Sequence, residues 1–136
     1  MRDFHLRIVT PDGLVYDGEA KSLLVRTDDG DVEFLAGHTD YFAHLGIGRA
    51  RIIIGDAEKF ASANGGVVSI SGGEVTVAAT TFEFADEIDV ERAVLAKEKA
   101  EEAIARSNDD KAIMLAKAKL ARAVNRINVS DLIKTR

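Results

Sequence analysis

The stretch VVSISGGEVTVAATTFEFADEIDVERAVLAKEKAEEAIAR, residues 67–106, changes period partway along its length. Up to about Phe84 it reads as strand: Val67-Val68-Ser69-Ile70, then Gly72-Gly73, then Val75-Thr76-Val77. Glycine reaches the positive φ angles of a two-residue hairpin without steric cost, so the Gly pair marks a turn between two strands. From Asp89 the sequence becomes a run of good helix formers. Asp89 is a natural N-cap, because its carboxylate accepts from backbone N–H groups that the first helical turn leaves unpaired. The predicted fold is therefore α+β: an N-terminal antiparallel β-sandwich or flattened barrel, residues 1–86, followed by a C-terminal antiparallel two-helix hairpin, residues 87–136.

Upstream, the strand signal continues to the N-terminus. Phe4, Leu6 and Ile8 alternate with His5, Arg7 and Val9, a period of two. Turn signals recur at Pro11-Asp12-Gly13, Asp28-Asp29-Gly30, Gly55-Asp56 and Asn64-Gly65-Gly66. Gly55-Asp56 lies between Arg51-Ile52-Ile53-Ile54 and a second run expected to end at Ala63. Many short strands at such spacing indicate a sandwich or barrel.

Downstream, Ser107-Asn108-Asp109 interrupts the helical pattern, and a second helix is expected from about Asp110 to Asn128. A short break between helices of similar length, each about 27 Å at 1.5 Å per residue, predicts an antiparallel hairpin. Ile113, Ala116, Leu120, Val124 and Ile127 share one face of the second helix, with Lys111, Lys119, Arg122 and Arg126 roughly opposite. The first helix offers a mostly alanine face: Ala93, Ala96, Ala100 and Ala103, with Ile104 beside it. Alanine permits close approach but buries little area, so the hairpin is expected to be marginal alone and to depend on docking elsewhere.

Of the 136 residues, 46% are hydrophobic and 30% charged, a globular balance. There is no Cys, which excludes disulfides and Cys-based zinc sites. No stretch approaches a membrane span, and no signal peptide precedes the first strand, so the expectation is a cytosolic chain with no direct membrane insertion. Residues 110–136 carry seven basic and two acidic residues, a balance of +5, whereas the rest carries 11 basic and 21 acidic residues, a balance of −10. A basic tail of this kind suits an acidic surface. Nucleic acid is disfavoured, because the whole chain is acidic and the basic segment lacks aromatic residues for base stacking.

Catalytic signatures are missing. The sequence has no phosphate-binding G-x-x-x-x-G-K-[ST] loop, no dinucleotide fingerprint and no H-E-x-x-H. Gly46-Ile47-Gly48 reads as a turn or bulge. His5, His38 and His44 do not have metal-ligand spacing and read as surface or hydrogen-bonded histidines. One cluster carries chemistry: Glu83, Asp89 and Arg92 fall where sheet gives way to helix. In an antiparallel hairpin Arg122 and Arg126 fold back beside Arg92, so three guanidinium groups could converge on one phosphate. The competing reading is an N-cap with a surface ion pair.

The segments LRIVTPDGLVYDGEA (6–20), ANGGVVSISGGEVTVAA (63–79), EIDVERA (87–93) and KLARAVNRINVS (119–130) resemble, in that order, the epsilon subunits of bacterial F-type ATP synthases. The resemblance implies a non-catalytic subunit of a proton- or sodium-translocating complex, peripheral on the cytoplasmic face of the cell membrane. It implies a sandwich set against the gamma subunit and the c-subunit ring, with Asp31 and His38 as candidate ring contacts. It also implies a mobile hairpin that reaches the alpha/beta catalytic head and opposes ATP hydrolysis. Lys111, Lys119, Arg122 and Arg126 would there meet acidic beta loops. Ile88-Asp89-Val90-Glu91-Arg92-Ala93 matches the family's I/L-D-x-x-R-A nucleotide motif at Ile88, Asp89, Arg92 and Ala93. Glu83, Arg122 and Arg126 match further nucleotide-contacting positions, so ATP is implied as a regulatory ligand that holds the hairpin folded, with no cofactor required. The alternative is a free cytosolic nucleotide-sensing module. Glu33 and Ala36 depart from the family pattern, which has Gly and Pro there.

Overall fold

The computed structural model describes residues 2–134, so Arg136 of the basic tail lies outside the described residues. The chain forms two compact units that divide between Phe84 and Ala85.

The first unit contains eight strands among the described residues: β1 (Phe4–Thr10), β2 (Gly13–Ala20), β3 (Ser22–Thr27), β4 (Gly30–Phe34), β5 (Tyr41–His44), β6 (Ile47–Ile54), β7 (Ala57–Ser71) and β8 (Glu74–Phe84). They pair in the order β2-β1-β8-β7-β6-β3-β4, with β5 also on β7. All pairings are antiparallel except β1 with β8. The period-two residues Phe4, Leu6 and Ile8 are buried, and they join Leu23, Val25, Phe34, Ile52, Val68, Val75 and Val77 in one core. Both expected two-residue hairpins form: Gly55-Asp56 joins β6 to β7, and Gly72-Gly73 joins β7 to β8 with both glycines at positive φ.

Asn64-Gly65-Gly66 is not a turn, contrary to expectation, and the strand expected to end at Ala63 continues to Ser71. β8 runs beside β7 on both sides of these glycines. On its other edge, β7 exchanges one neighbour for another: residues 57–64 pair with β6 and residues 67–70 with β5. The glycines mark that exchange. Gly66 has φ +95°, and a Cβ there would run into the Ala78 carbonyl. Gly46 and Gly48 are likewise not a turn: Gly48 lies within β6, where a side chain would collide with that of Arg26.

The second unit opens with a 3-10 turn, Ala85–Glu87, followed by α1 (Val90–Arg106) and α2 (Asp110–Lys134). Asp89 caps α1 as expected: its carboxylate accepts from the Arg92 backbone N–H at 3.1 Å. At the far end the Ser107 N–H donates to the Ala103 carbonyl at 3.2 Å, and Ser107 Oγ accepts from the Asp109 N–H at 3.1 Å. The helices are not of similar length. α2 runs past Asn128 to Lys134 among the described residues, 25 residues against 17 for α1. Beyond the expected end at Asn128, Val129 and Ser130 are buried, and the Ser130 hydroxyl donates to the Ile127 carbonyl at 2.9 Å. Burial here outweighs a weak propensity signal.

Ala93 and Ala100 on α1, and Ala116, Ala123 and Ser130 on α2, are buried at seven-residue spacing. This is the repeat of a helix–helix seam, here filled by small residues. Ala103 is exposed and not part of the seam, while Ile113, Leu120, Val124 and Ile127 are half-buried. The basic residues also divide: Lys111 and Lys119 are exposed, whereas Arg122 and Arg126 are half-buried.

Candidate functional site

The N-terminal end of α1 gathers four of the expected nucleotide residues. Ile88 is buried, with its N–H bonded to the Ala85 carbonyl at 3.4 Å. Asp89 closes the cap, Arg92 is exposed in the first turn, and Ala93 is fully buried in the seam. The motif thus combines two kinds of residue. Ile88 and Ala93 anchor the end of the helix, and Asp89 and Arg92 present charge around its unpaired N–H groups.

The short turn after α1 forces the helices to run antiparallel. Arg92 lies as far before Asn108 as position 124 lies after it, so Arg122 and Arg126 bracket its level along the hairpin. They are one helical turn apart and therefore on one side of α2. Guanidinium groups so placed, beside a helix N-terminus, suit a phosphate. Glu83 belongs to the first unit: it sits on β8 opposite Ser62 and is half-buried.

Asp31 and His38, expected at a partner contact, are both held locally. Asp31 accepts from Arg26 Nε at 2.7 Å across the β3–β4 pair. His38 packs edge-on against Phe34 and Tyr41, with ring centroids 5.1 and 5.9 Å apart, and its Nδ1 lies 2.8 Å from the Thr39 carbonyl. That contact requires Nδ1 to carry the proton, because a carbonyl only accepts. The departure at Glu33 has a physical role: Glu33 on β4 pairs with Arg51 on β6 and accepts from the Ser22 hydroxyl on β3 at 3.2 Å. It ties the edge strand to its neighbours. Ala36 is half-buried against the core.

Three features escaped the sequence reading. His5 stands between two carboxylates on the outer face of β1. The register that brings Asp17 and Glu74 to it was the missing signal. Phe42 (62% exposed), His44, Val67, Ala78, Val9 and Leu14 lie on that same outer face across β5, β7, β8, β1 and β2. On the hairpin, Leu95, Met114 and Leu115 are 57%, 73% and 59% exposed. Among the described residues no cluster of three or more His, Asp or Glu is arranged to hold a metal ion, and no helix is long and apolar enough to cross a membrane.

A β-sandwich followed by a helical pair is the architecture of one family of rotary-motor subunits. Residues 3–85 match the beta-sandwich domain of the ATP synthase Delta/Epsilon chain, and residues 86–131 match its long alpha-helix domain. The chain belongs to this family, and as an epsilon-type chain it is a non-catalytic subunit. It is 38% identical to the ATP synthase epsilon chain of Bacillus velezensis, over 96% of this chain and 98% of that one. It is 36% identical to the corresponding chain of Bacillus licheniformis, over 96% and 99%. Among solved structures, it resembles a chain of the Euglena gracilis mitochondrial ATP synthase, with TM-score 0.79, 21% identity and coverage of 90% of this chain and 78% of that one. It also resembles a chain of the Tetrahymena thermophila mitochondrial ATP synthase central stalk and c-ring, with TM-score 0.66, 11% identity and coverage of 95% and 97%. At these identities the two structural likenesses show the fold alone.

Proposed function

We propose that this chain is a regulatory and coupling subunit of the central stalk of a bacterial F-type ATP synthase. In this reading the sandwich sits between the gamma subunit and the c-subunit ring, on the cytoplasmic face of the membrane, with Asp31 and His38 toward the ring. The hairpin has two resting places, and the one that reaches the alpha/beta head opposes ATP hydrolysis. ATP, bound on the second unit by Asp89, Arg92, Arg122 and Arg126 with Ile88 and Ala93 as the frame, holds the folded arrangement because it binds that state better.

The observation that carries the reading is the imbalance on the hairpin. Its two helices meet through alanines, whereas Leu95, Met114 and Leu115 stay open to solvent. Lys111 and Lys119 flank the last two at helical spacing, giving an apolar patch with a basic border. Such a patch fits an acidic surface with an apolar centre. The row of exposed Phe42 and Leu14 with half-buried Val67 and Val9 on the sandwich supports a second, separate docking surface for gamma.

Removal of residues 87–136 tests the regulatory part. The shortened subunit is expected to assemble with gamma, and hydrolysis by the assembled complex to rise. Unchanged hydrolysis would refute the inhibitory role. Titration of the complete chain with ATP, followed by NMR, is expected to shift signals of Arg92 and Arg126; no shift at either would remove the nucleotide site. Failure to co-purify with gamma would favour a free nucleotide-sensing module.

A further inference from the structure

We propose that His5 is a pH-dependent clasp that fastens the edge strand β2 to β1 and β8. The imidazole sits on β1 with a carboxylate on each side. Nε2 meets Asp17 of β2, and Nδ1 lies 3.5 Å from Glu74 of β8. A neutral imidazole has one N–H, so one ring nitrogen would turn a lone pair toward a carboxylate. The imidazolium donates from both nitrogens and satisfies both sides. The clasp therefore closes with protonation and opens with its loss.

Its surroundings favour the charged form. On β1, Arg7 lies two residues along and reaches the other Asp17 oxygen at 3.4 Å. Asp3, just before β1, is held by Lys21 at 3.2 Å. On β2, Glu19 stands opposite His5 in the register. On β8 the facing charge is Glu74. Two carboxylates thus bond one ring, and Arg7, on the same strand, is bonded to one of them. Hydrogen bonding to Asp17, then to Glu74, raises the His5 pKa above its ordinary 6.5. The same bond with His5 lowers that of Asp17 below 3.8.

The signs set the working window. A raised His pKa stabilises the fold fully below pH 6.5, and that stabilisation is lost as pH climbs through the raised value. A lowered Asp pKa stabilises above pH 3.8 and is lost on further acidification. Between these limits both partners are charged and the clasp is closed. Its release comes as pH rises above 6.5, through the raised His5 value.

What it releases is specific. β2 is the end of the strand order, with β1 as its only ladder neighbour among the described residues. β1 meets β8 over only four residue pairs, Leu6 to Val9. His5 lies at the open end of the β1–β2 hairpin, away from the Pro11-Asp12 turn, where a cross-strand ion pair has most leverage against fraying.

The test uses the complete chain. The His5 ring is followed by NMR across pH 5–9, and amide exchange of β1 and β2, corrected for intrinsic rates, is measured at pH 6 and pH 8.5. The ring is expected to titrate above 6.5 in the wild type and lower in Asp17→Asn. Corrected exchange at the open end of the hairpin is expected to rise roughly twofold or more at the higher pH, and to lose this dependence in His5→Gln. The proposal is overturned if wild-type His5 titrates at or below 6.5, or if His5→Gln and wild type share the same pH-dependent exchange. The first readout needs no variant, so a misfolded mutant does not shelter the idea.

Discussion

Replacing Ala100 by leucine should loosen the hairpin, although it adds apolar volume to a buried position. Ala100 is buried on α1, one heptad from Ala93. Helix propensity barely separates the two residues, so the outcome depends on space. If the seam had room, three more buried carbons at about 0.8 kcal/mol each would add roughly 2 kcal/mol. If alanines set the distance between the helices, those carbons force the backbones apart at a cost of about 1–3 kcal/mol. The spacing of Ala93, Ala100, Ala116 and Ala123 argues for the second case. Ala103→Leu is the control: the same exchange on the same helix at an exposed position, expected to change stability by less than about 0.5 kcal/mol. Amide exchange of α1 and α2 in the complete chain reads both. Protection should fall about tenfold for Ala100→Leu, corresponding to about 1.4 kcal/mol, and hold for Ala103→Leu. A rise in protection for Ala100→Leu, or equal behaviour of the two variants, would show that the seam is not sterically closed.

Substitutions at two further positions test the α1 cap and the close approach of β7 to β8. Asp89→Ala should cost the first turn of α1 about 1 kcal/mol of local protection, while Asp89→Asn should retain most of it, since asparagine caps nearly as well. If ATP titration weakens equally in both, the Asp89 charge serves the nucleotide as well as the cap. Gly66→Ala should destabilise the sandwich by at least about 2 kcal/mol in thermal unfolding, because the added methyl meets the Ala78 backbone and the φ of +95° disfavours any side chain. A smaller loss would mean that the β7–β8 pair can shift to accept it.

The parts of the fold legible in sequence were those written in local rules. Period-two alternation located β1, and Gly72-Gly73 and Gly55-Asp56 located hairpins, because each depends on a few adjacent residues. Asp89 was legible for the same reason. Asn64-Gly65-Gly66 has the composition of a turn, yet it lies inside a 15-residue strand. Only the neighbouring strands distinguish the two cases, and neighbours are not visible locally. The end of α2 failed similarly: Val129 and Ser130 are buried, and burial is a tertiary fact. In the candidate site, the Asp89 cap and the antiparallel return of Arg122 and Arg126 followed from helix geometry, whereas Ile88 and Ala93 came from the family resemblance. The half-burial of those arginines did not, since a basic stripe read by charge alone suggests a solvated face. The His5 clasp was hidden because it needs the register of three strands at once.

If the hairpin docks in two places, the exposed apolar residues contribute more than the lysines to the second. Lys111 and Lys119 are exposed, and each exposed ion pair contributes up to about 1 kcal/mol, less with added salt. Leu95, Met114 and Leu115 are more than half open, and covering each would add about 1–2 kcal/mol. Together they add about 3–6 kcal/mol against at most about 2 from the two lysines, and salt does not screen them. Charge then governs the rate and direction of approach, while apolar area governs how long the extended form lasts. The alanine seam completes this balance: alanines bury little area, so the two helices gain little from each other, and a nucleotide or a partner surface can shift the arrangement.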